Sequence, residues 1–548
     1  MFKIIIFGEE PRPLVLLAEQ LERHVADAEV CGIILQARRR YRGALWSSVA
    51  ASLARAGGFF WRLLLGGIHG GRPCGCKTEV SSRRALVEKC HQAGWALHCT
   101  ENADEKTITF IRERCANLTV VVGPEEVPAA LENLTSHGMI AGNLSGSARQ
   151  KTAEHYHDRF RTSVESLEVQ VSERSGRGRR QLIRFEMHPD ELDTDVSLRL
   201  KSNLLLRDLL VQSARALAQR GEDAAVEVEA WACRMISSHL RRMSGPDRRP
   251  SIDQAPPVRV RANWKLCIYS LFLLSPSVIF RNWVYRKRKR YPIVFLNSHL
   301  ISDRHHRMAL PTEAFLGVVR YLKKHYRIVG LSEACGLLKT GTNDQPTVVL
   351  TFDDGYEDNF VNLRAVCEEL DVPVTLFIST DPVTSNREFA HDLSRGLVGF
   401  RALTWHQIQY WSAEDAEFHS HTCSHYDCGS TDEDLLKKEM VESKRALEQQ
   451  LGKPVTAFAF PFGKPENMSA PAVAIAASTY DHFLSSYGGE NVPNSSHSHR
   501  HLLRKHFQGN AWESELEIQD VFAISRSARQ PFRTWSPHVN KLGDLSLR

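Results

Sequence analysis

Twice along this chain, short runs of β-branched and apolar residues alternate with stretches of helical periodicity, and between the two blocks the pattern fails from Arg241 to Ala262. In that gap Gly245-Pro246, Pro250 and Pro256-Pro257 lie among arginines and no apolar face survives. Strand–helix alternation leaves little choice of architecture, because parallel strands joined by crossover helices must be covered on both faces. The 548 residues far exceed what one core serves, about 150 residues per domain. Two α/β domains in series are the expectation.

In the first block, Ile4 to Phe7, Val30 to Leu35 and Thr119 to Val122 read as strands and Leu14 to Arg23 as a helix, which predicts a Rossmann-like parallel sheet domain over 1–240. Ala44 to Ile68 reads as a core helix broken at Gly57-Gly58, and Ser172 to Arg180 as an exposed, solvated loop. From Tyr291 the alternation resumes with strands Ile293 to Leu296, Arg327 to Gly330, Thr347 to Phe352 and Val372 to Ile378. Helices are expected at Asn359 to Leu370 and at Glu433 to Leu451, the latter capped by Ser430 or Thr431 and ended by Gly452 and Pro454. This second domain is expected to run over 291–522, followed by a polar tail, 523–548.

The linker, 241–290, carries its own signal. Leu266 to Phe280 is a run without charge, interrupted by Pro276, flanked by Trp264, Trp283 and Tyr285, and followed by Arg286-Lys-Arg-Lys-Arg290. A membrane span takes about 20 apolar residues, so the run does not span. Two readings stand side by side: a peripheral membrane contact through 264–290 facing anionic lipid, or a hydrophobic helix packed on the second domain.

Composition narrows the classes further. The net charge of +6, from 70 basic and 64 acidic residues, is too small at this length to argue for a nucleic-acid partner. With 42% hydrophobic and 24% charged residues the chain is of the soluble globular type. Its twelve cysteines include no CxxC pair, so neither a disulfide framework nor a zinc ribbon is indicated. The apolar run Ile4 to Phe7, followed by Glu9, Glu10 and Pro11, is too short for the core of a secretory signal. A cytoplasmic location is the expectation.

Chemistry concentrates where three predicted strands end. Val348-Val-Leu-Thr-Phe-Asp-Asp-Gly-Tyr356 stops in adjacent carboxylates, Asp353 and Asp354, a costly pair unless a cation or proton lies between them. A metal resolves the conflict if one carboxylate binds it and the other takes a proton from water. Glu417-Phe-His-Ser-His-Thr-Cys-Ser-His425 puts His421 and His425 four residues apart, on one face if the backbone turns helically. Two histidines with one carboxylate form the usual open zinc set; Cys423 between them points off that face. Ala457-Phe-Ala-Phe-Pro-Phe-Gly463 is a third apolar strand, and the amide after Pro461 can donate to a developing oxyanion. In a β/α barrel such strand ends gather on one rim.

Thr351-Phe-Asp-Asp-Gly355, His421-Thr-Cys-Ser-His425 and Phe460-Pro-Phe-Gly463, in that order, resemble the first three motifs of the polysaccharide deacetylase family, the NodB homology domain. Pro292 to His299, Leu403-Thr-Trp405 and Ser485 to Asn491 are similar to its flanking segments, so the likeness covers about Tyr291 to Gly509. It implies a distorted (β/α) barrel with Asp354, His421 and His425 as ligands of a divalent metal ion, most simply Zn. Asp353 is then the general base, and the Phe462 amide the oxyanion donor. The chain departs from the family twice. The arginine expected before Pro-aromatic-Gly is replaced in Ala457-Phe-Ala459, and none of His497, His499, His501 and His506 has the Leu-x-His setting of the late histidine. Ser496-His-Ser-His-Arg-His501 has the composition of a solvated loop.

The first domain resembles folate-dependent formyltransferases in Lys3 to Gly8, Gly138 to Ser145 and Glu191 to Val196. Asn143 and Asp193 match two of three catalytic positions, and Ser145 stands where the proton-shuttling histidine belongs. A hydroxyl does not titrate near neutrality, so a non-catalytic descendant that binds a nucleotide-sugar or positions substrate is expected. The leading expectation for the chain is a metal-dependent hydrolase that removes an N-acetyl or N-formyl group from an amino-sugar, polysaccharide or lipid-linked sugar. The alternatives are a bifunctional protein that retains formyl transfer and a carbohydrate-binding protein without turnover.

Overall fold

The structure is a computed structural model and describes residues 1–36, 83–100, 104–122, 131, 134–146, 167–175, 178–187, 190, 192–220, 223–236, 240, 276–414, 416–493 and 500–520. The expectations for Ala44 to Ile68, the linker up to Ser275, His497, His499 and the tail lie outside the described residues.

A run of consecutive apolar residues in a strand is stable only when both its faces are covered. That is the setting of Phe2–Gly8 (β1), where Ile4, Ile5, Ile6 and Phe7 are fully buried. Ala28–Gln36 (β2), Ala96–Thr100 (β3), Leu118–Val122 (β4), Met139–Gly146 (β5), Leu167–Ser175 (β6) and Gly178–Met187 (β7) complete a sheet of order β3-β2-β1-β4-β5-β6-β7. The pairs out to β5 are parallel, as expected of a Rossmann-like sheet, and β6 and β7 return antiparallel. Ser172 to Arg180 is therefore not a loop: Ser172 to Ser175 end β6 and Gly178 begins β7. Its charges pair across strands, Arg180 Nε donating to Glu173 at 2.8 Å and Arg184 to Glu168 at 2.6 Å. A run of charged and small polar residues reads like a solvated loop until its partner strand is known.

The second unit holds Ile293–Ser298 (β8), the short pair Leu300–Ile301 (β9) and Ala309–Leu310 (β10), and Arg327–Ile328 (β11). It continues with Thr347–Phe352 (β12), Thr375–Ile378 (β13), Glu417–Ser420 (β14), Ala457–Ala459 (β15), His482–Ser485 (β16) and His501–His506 (β17). Seven parallel strands, β8 and β12 to β17, close on themselves, since β8 pairs with β12 on one side and β17 on the other; β11 adds to the start of β12 outside the ring. Alternate residues fill the interior, among them Phe295, Val349, Phe377, Ala459, Leu484 and Leu502, packed with Leu331, Ala334 and Leu338 of the helix Leu331–Thr340. Glu417, first in β14, accepts from the Leu331 amide at 2.6 Å and the Ser332 amide at 3.1 Å. This fixes the helix over the end where the strands begin and leaves the opposite rim for chemistry.

Three helix boundaries differ from expectation. Asp432, not Ser430 or Thr431, caps Glu433–Leu451, because its carboxylate is one residue ahead of the helix and reaches the Leu435 amide at 3.0 Å. Pro276 opens the helix Pro276–Arg288 rather than interrupting one; a missing N–H costs nothing in the first turn. The helix expected over Asn359 to Leu370 is Asn362–Leu370, preceded by a 3₁₀ turn over Glu357–Phe360.

Arg364, on the helix Asn362–Leu370, is fully buried between the Phe360 and Tyr410 rings and grips Glu414 with two hydrogen bonds of 2.7 and 3.0 Å. Arg364→Met is expected to destabilise the second unit by about 3–5 kcal/mol, because Glu414 is left buried and unpaired. Urea unfolding of the single variant and of Arg364→Met/Glu414→Leu checks this; equal losses in both would refute the pairing.

Candidate active site

At the open rim, β12 runs into Asp353, Asp354 and Gly355. Asp353 stays in strand register, its amide donating to Ser298 at 3.0 Å, while Asp354 (φ 71°) and Gly355 (φ 90°) turn left-handed. Glycine suits this position because side chains rarely adopt a φ of 90°, and a Cβ would also press on Ile378 Cδ1 at 2.7 Å. The turn hands the two buried carboxylates to different partners.

Asp354 Oδ1 lies 3.4 Å from His421 Nε2 and 3.2 Å from His425 Nε2. Neither approach is aligned as a hydrogen bond, so among the described residues this buried oxygen has no hydrogen-bond partner. One ligand atom from each of the three residues lies within 4.8 Å of the others. His421 Nδ1 is 2.8 Å from the Ala459 carbonyl, which only accepts, so in the neutral ring the proton sits on Nδ1 and the Nε2 lone pair faces Asp354. A buried orphan oxygen facing two imidazole nitrogens fits one divalent cation. Burial opposes ionisation of Asp354, yet His425 and His421 outweigh it and hold the carboxyl well below the usual range. Burial likewise depresses His425, and Asp354 overcomes that to raise it.

The two histidines converge for a reason other than the helical turn expected. The segment after β14 is not helical; Thr422 (φ 66°) and His425 (φ 62°) take left-handed conformations that fold it back. The loop is held by Glu439, which accepts from the Ser424 amide at 2.9 Å and its hydroxyl at 2.8 Å. Cys423 faces away toward the Lys438 carbonyl, and burial pushes its thiol up to about 12. Its exclusion from the ligand set agrees with the geometry.

Asp353 is gripped by Arg504 of β17, whose Nη1 and Nη2 donate to the two carboxylate oxygens at 2.6 and 2.8 Å. Burial works against the charge on Asp353, but Arg504 and His421 prevail and keep its pKa below the ordinary value. The arginine lacking before Pro461 is thus supplied from another strand. Its trace in the sequence is an arginine at an inward position of Leu502-Leu-Arg-Lys505.

Pro461-Phe462-Gly463 follows β15. Phe462 and Gly463 both have φ of 62°, and a Cβ on Gly463 would meet the Ser486 amide nitrogen at 2.7 Å. Among the described residues the Phe462 amide donates to no group. The Phe462 ring is 53% exposed and stands edge-on to His425, centroids 4.9 Å apart.

Of the late histidines, His501 sits on the outer side of β17, bonded to Ser485 at 2.9 Å and stacked on Phe483, with burial pulling its pKa down to about 4. His506 is exposed at the end of that strand. An imidazole beside the cluster is His391, its ring 4.9 Å from that of His425 and its Nε2 2.8 Å from the Tyr356 hydroxyl, which donates to Asp392 at 2.6 Å; His299 also acts on both carboxylates. No motif in the sequence marks His391.

In the first unit, Asn143 has an exposed side chain that accepts from its own neighbour, Leu144. Asp193 is held by the fully buried Lys201 at 2.8 Å and by the Ser197 hydroxyl at 2.7 Å. Ser145 lies in β5, its side chain outside the described residues.

Fold and site define a closed parallel β/α barrel with an aspartate and two histidines converging on its C-terminal rim. Residues 340–480, which carry Asp353, Asp354, His421, His425 and Phe462, match the model of the polysaccharide deacetylase family. Solved structures similar to this chain include IcaB from Ammonifex degensii (19% identity, 42% of this chain and 97% of that one, TM-score 0.37). The Streptococcus pyogenes deacetylase PplD in complex with acetate is another (20%, 42% and 98%, TM-score 0.35). A third is phosphoribosylglycinamide formyltransferase from Bacillus halodurans (11%, 40% and 97%, TM-score 0.28). No curated protein matches the chain.

Removing one imidazole leaves two ligands, too few to hold zinc. His421→Ala is expected to weaken Zn²⁺ binding by at least about a hundredfold, whereas Cys423→Ala leaves it unchanged. Titration calorimetry of the metal-free full chain measures both; a His421 variant with wild-type affinity would remove that residue from the ligand set.

Proposed function

We propose that the barrel hydrolyses the N-acyl group, acetyl or formyl, of an amino-sugar or polysaccharide, with a divalent ion, zinc by expectation, held by Asp354, His421 and His425. The reading is carried by the division of labour between neighbouring carboxylates: Asp354 faces the two imidazoles, while Asp353 is kept ionised and apart by Arg504. The match of 340–480 to the polysaccharide deacetylase family supports the substrate class.

When bound, the ion supplies Lewis-acid polarisation of the acyl carbonyl and acidifies water. Asp353 accepts the proton as the water oxygen bonds to the acyl carbon. The C–N bond then breaks, the nitrogen takes up that proton, and the products are a carboxylic acid and a free amine. Arg504 fixes the orientation of Asp353 through two parallel hydrogen bonds, so the base needs no rearrangement during the step. The Phe462 amide, which donates to no described group, is available to donate to the charge that develops on the acyl oxygen. Its exposed ring offers the apolar face of a sugar ring a flat surface beside the site. In the first unit Ser145 stands where the resemblance expects a titrating histidine, which favours a non-catalytic, substrate-binding role there over formyl transfer.

Asp353→Asn is expected to lower turnover about 10²- to 10⁴-fold with metal content unchanged. Arg504→Lys, which keeps the charge but loses the two-pronged grip, should lower kcat more than it alters KM. Acyl release from a panel of acetylated and formylated amino-sugars, with metal analysis of each protein, tests both. A metal-loaded wild type that releases nothing from any of them would overturn hydrolysis and leave carbohydrate binding. Formyl transfer from a folate donor by the full chain is expected to be nil, and its detection would restore the bifunctional reading.

A further inference from the structure

The helix Pro276–Arg288 is anchored by one face. Val278 and Asn282 are buried; Arg281 and Asn282 donate to Gln519 Oε1 at 2.9 and 3.2 Å, and the Tyr285 hydroxyl donates to Glu490 at 3.0 Å. Positions 278, 281, 282 and 285 recur at helical spacing, so these contacts set the rotation of the helix. The other face therefore points outward. Ile279 is 41% exposed, Phe280 64% and Trp283 47%, and the Phe280 and Trp283 rings stack with centroids 5.8 Å apart. These are among the most exposed large apolar side chains of the described residues. One turn on, the same side continues into Arg286 and Lys287, with Arg288 and Lys289 exposed beside them.

Along the sequence this segment carries charge of one sign, and Glu490, which meets Arg281 and Tyr285, lies under the anchored face. No aspartate or glutamate occurs between Asp253 and Asp303, whereas Arg286 to Arg290 is a run of five basic residues. Over the whole chain the excess is only +6, so the asymmetry is local. A second copy of the chain docked face to face would bring two such basic clusters together, which like-charge repulsion disfavours. An apolar aromatic ridge bordered by lysine and arginine suits a surface that is negatively charged outside and hydrocarbon just beneath. We propose that Pro276–Arg290 is a docking face for an anionic lipid bilayer, with Ile279, Phe280 and Trp283 entering the headgroup boundary and the basic run pairing with lipid phosphates.

No described helix is long and apolar enough to cross a membrane, so this contact lies in the interface. The helix packs near the end of the barrel where β8 begins, since the backbone just beyond it is tied at Tyr291 to Asn343 and at Ile293 to Asn491. The rim that carries Asp354 is at the other end of the strands. Docking therefore leaves the rim open to water, and hydrolysis of a soluble substrate does not depend on it.

Flotation of the full chain with vesicles of phosphatidylcholine, alone or mixed with phosphatidylglycerol, tests the proposal. Binding is expected only to the anionic vesicles and should weaken as salt is raised. Phe280→Ser/Trp283→Ser is expected to lower partition about tenfold or more, and Arg286→Gln/Lys287→Gln/Arg288→Gln about a hundredfold. Both variants should keep wild-type metal content and thermal unfolding, which separates lost docking from misfolding. Equal binding to neutral vesicles, no flotation, or partition unmoved by both variants would overturn it. So would variants that change only the sedimentation mass of the protein, which would assign the face to a second copy.

Discussion

Two neighbouring carboxylates inside a protein repel each other, and neither stays ionised unless each finds its own cation. The rim of this barrel is organised around that constraint. The left-handed turn at Asp354 and Gly355 separates the pair. Arg504 neutralises Asp353 from β17, and two imidazoles from the loop after β14 face Asp354. Strands β12, β14 and β17 must then stand in the register observed, because a slip of one residue would point Arg504 out of the barrel and leave Asp353 buried and unpaired.

Pairing with a buried cation does not by itself mark a reactive carboxylate. Asp193 in the first unit is as thoroughly neutralised, by Lys201 and Ser197, as Asp353 is by Arg504. What distinguishes the barrel site is the adjacent, unsatisfied oxygen of Asp354 and the imidazole nitrogens aimed at it. In the first unit Asn143 bonds its own backbone neighbour, and no such convergence is found among the described residues.

Much of this was legible in the sequence, though not always for the right reason. Apolar strands that stop at Asp353, at His421 and at Pro461 fixed the rim, since a parallel barrel gathers strand ends on one side. His421 and His425 were recognisable as partners from their spacing, yet a helical turn does not join them. Left-handed Thr422 does, and local propensity gives no warning of it. Arg504 was hidden because a basic residue acquires meaning only once β17 is placed beside β8 and its alternate positions are known to face inward. His391, Tyr356 and Asp392 come from segments with no pattern between them, so only the folded chain brings them to His425. The β6–β7 hairpin is hidden for the converse reason: Ser172 to Arg180 is polar and charged throughout, a composition that resembles solvent exposure, and only the cross-strand pairing shows the strands.

The same rim collects unusual backbone. Asp354, Thr422, His425 and Phe462 all have positive φ without being glycine, a conformation that costs about 1–3 kcal/mol per residue and is least tolerated by a β-branched side chain such as Thr422. Such strain persists only where surrounding contacts outweigh it. Here they are identifiable: the Thr422 hydroxyl donates to the His421 carbonyl at 2.6 Å and accepts from the Tyr426 amide at 3.0 Å, while Glu439 holds Ser424 and the Cys423 amide. Each strained residue lies at or next to a group placed in the site. A relaxed backbone would keep strand direction past the rim and carry His425 away from Asp354. The convergence on Asp354 is therefore built from locally unfavourable turns held by the long helix Glu433–Leu451, so the stability of that helix and the shape of the site are coupled.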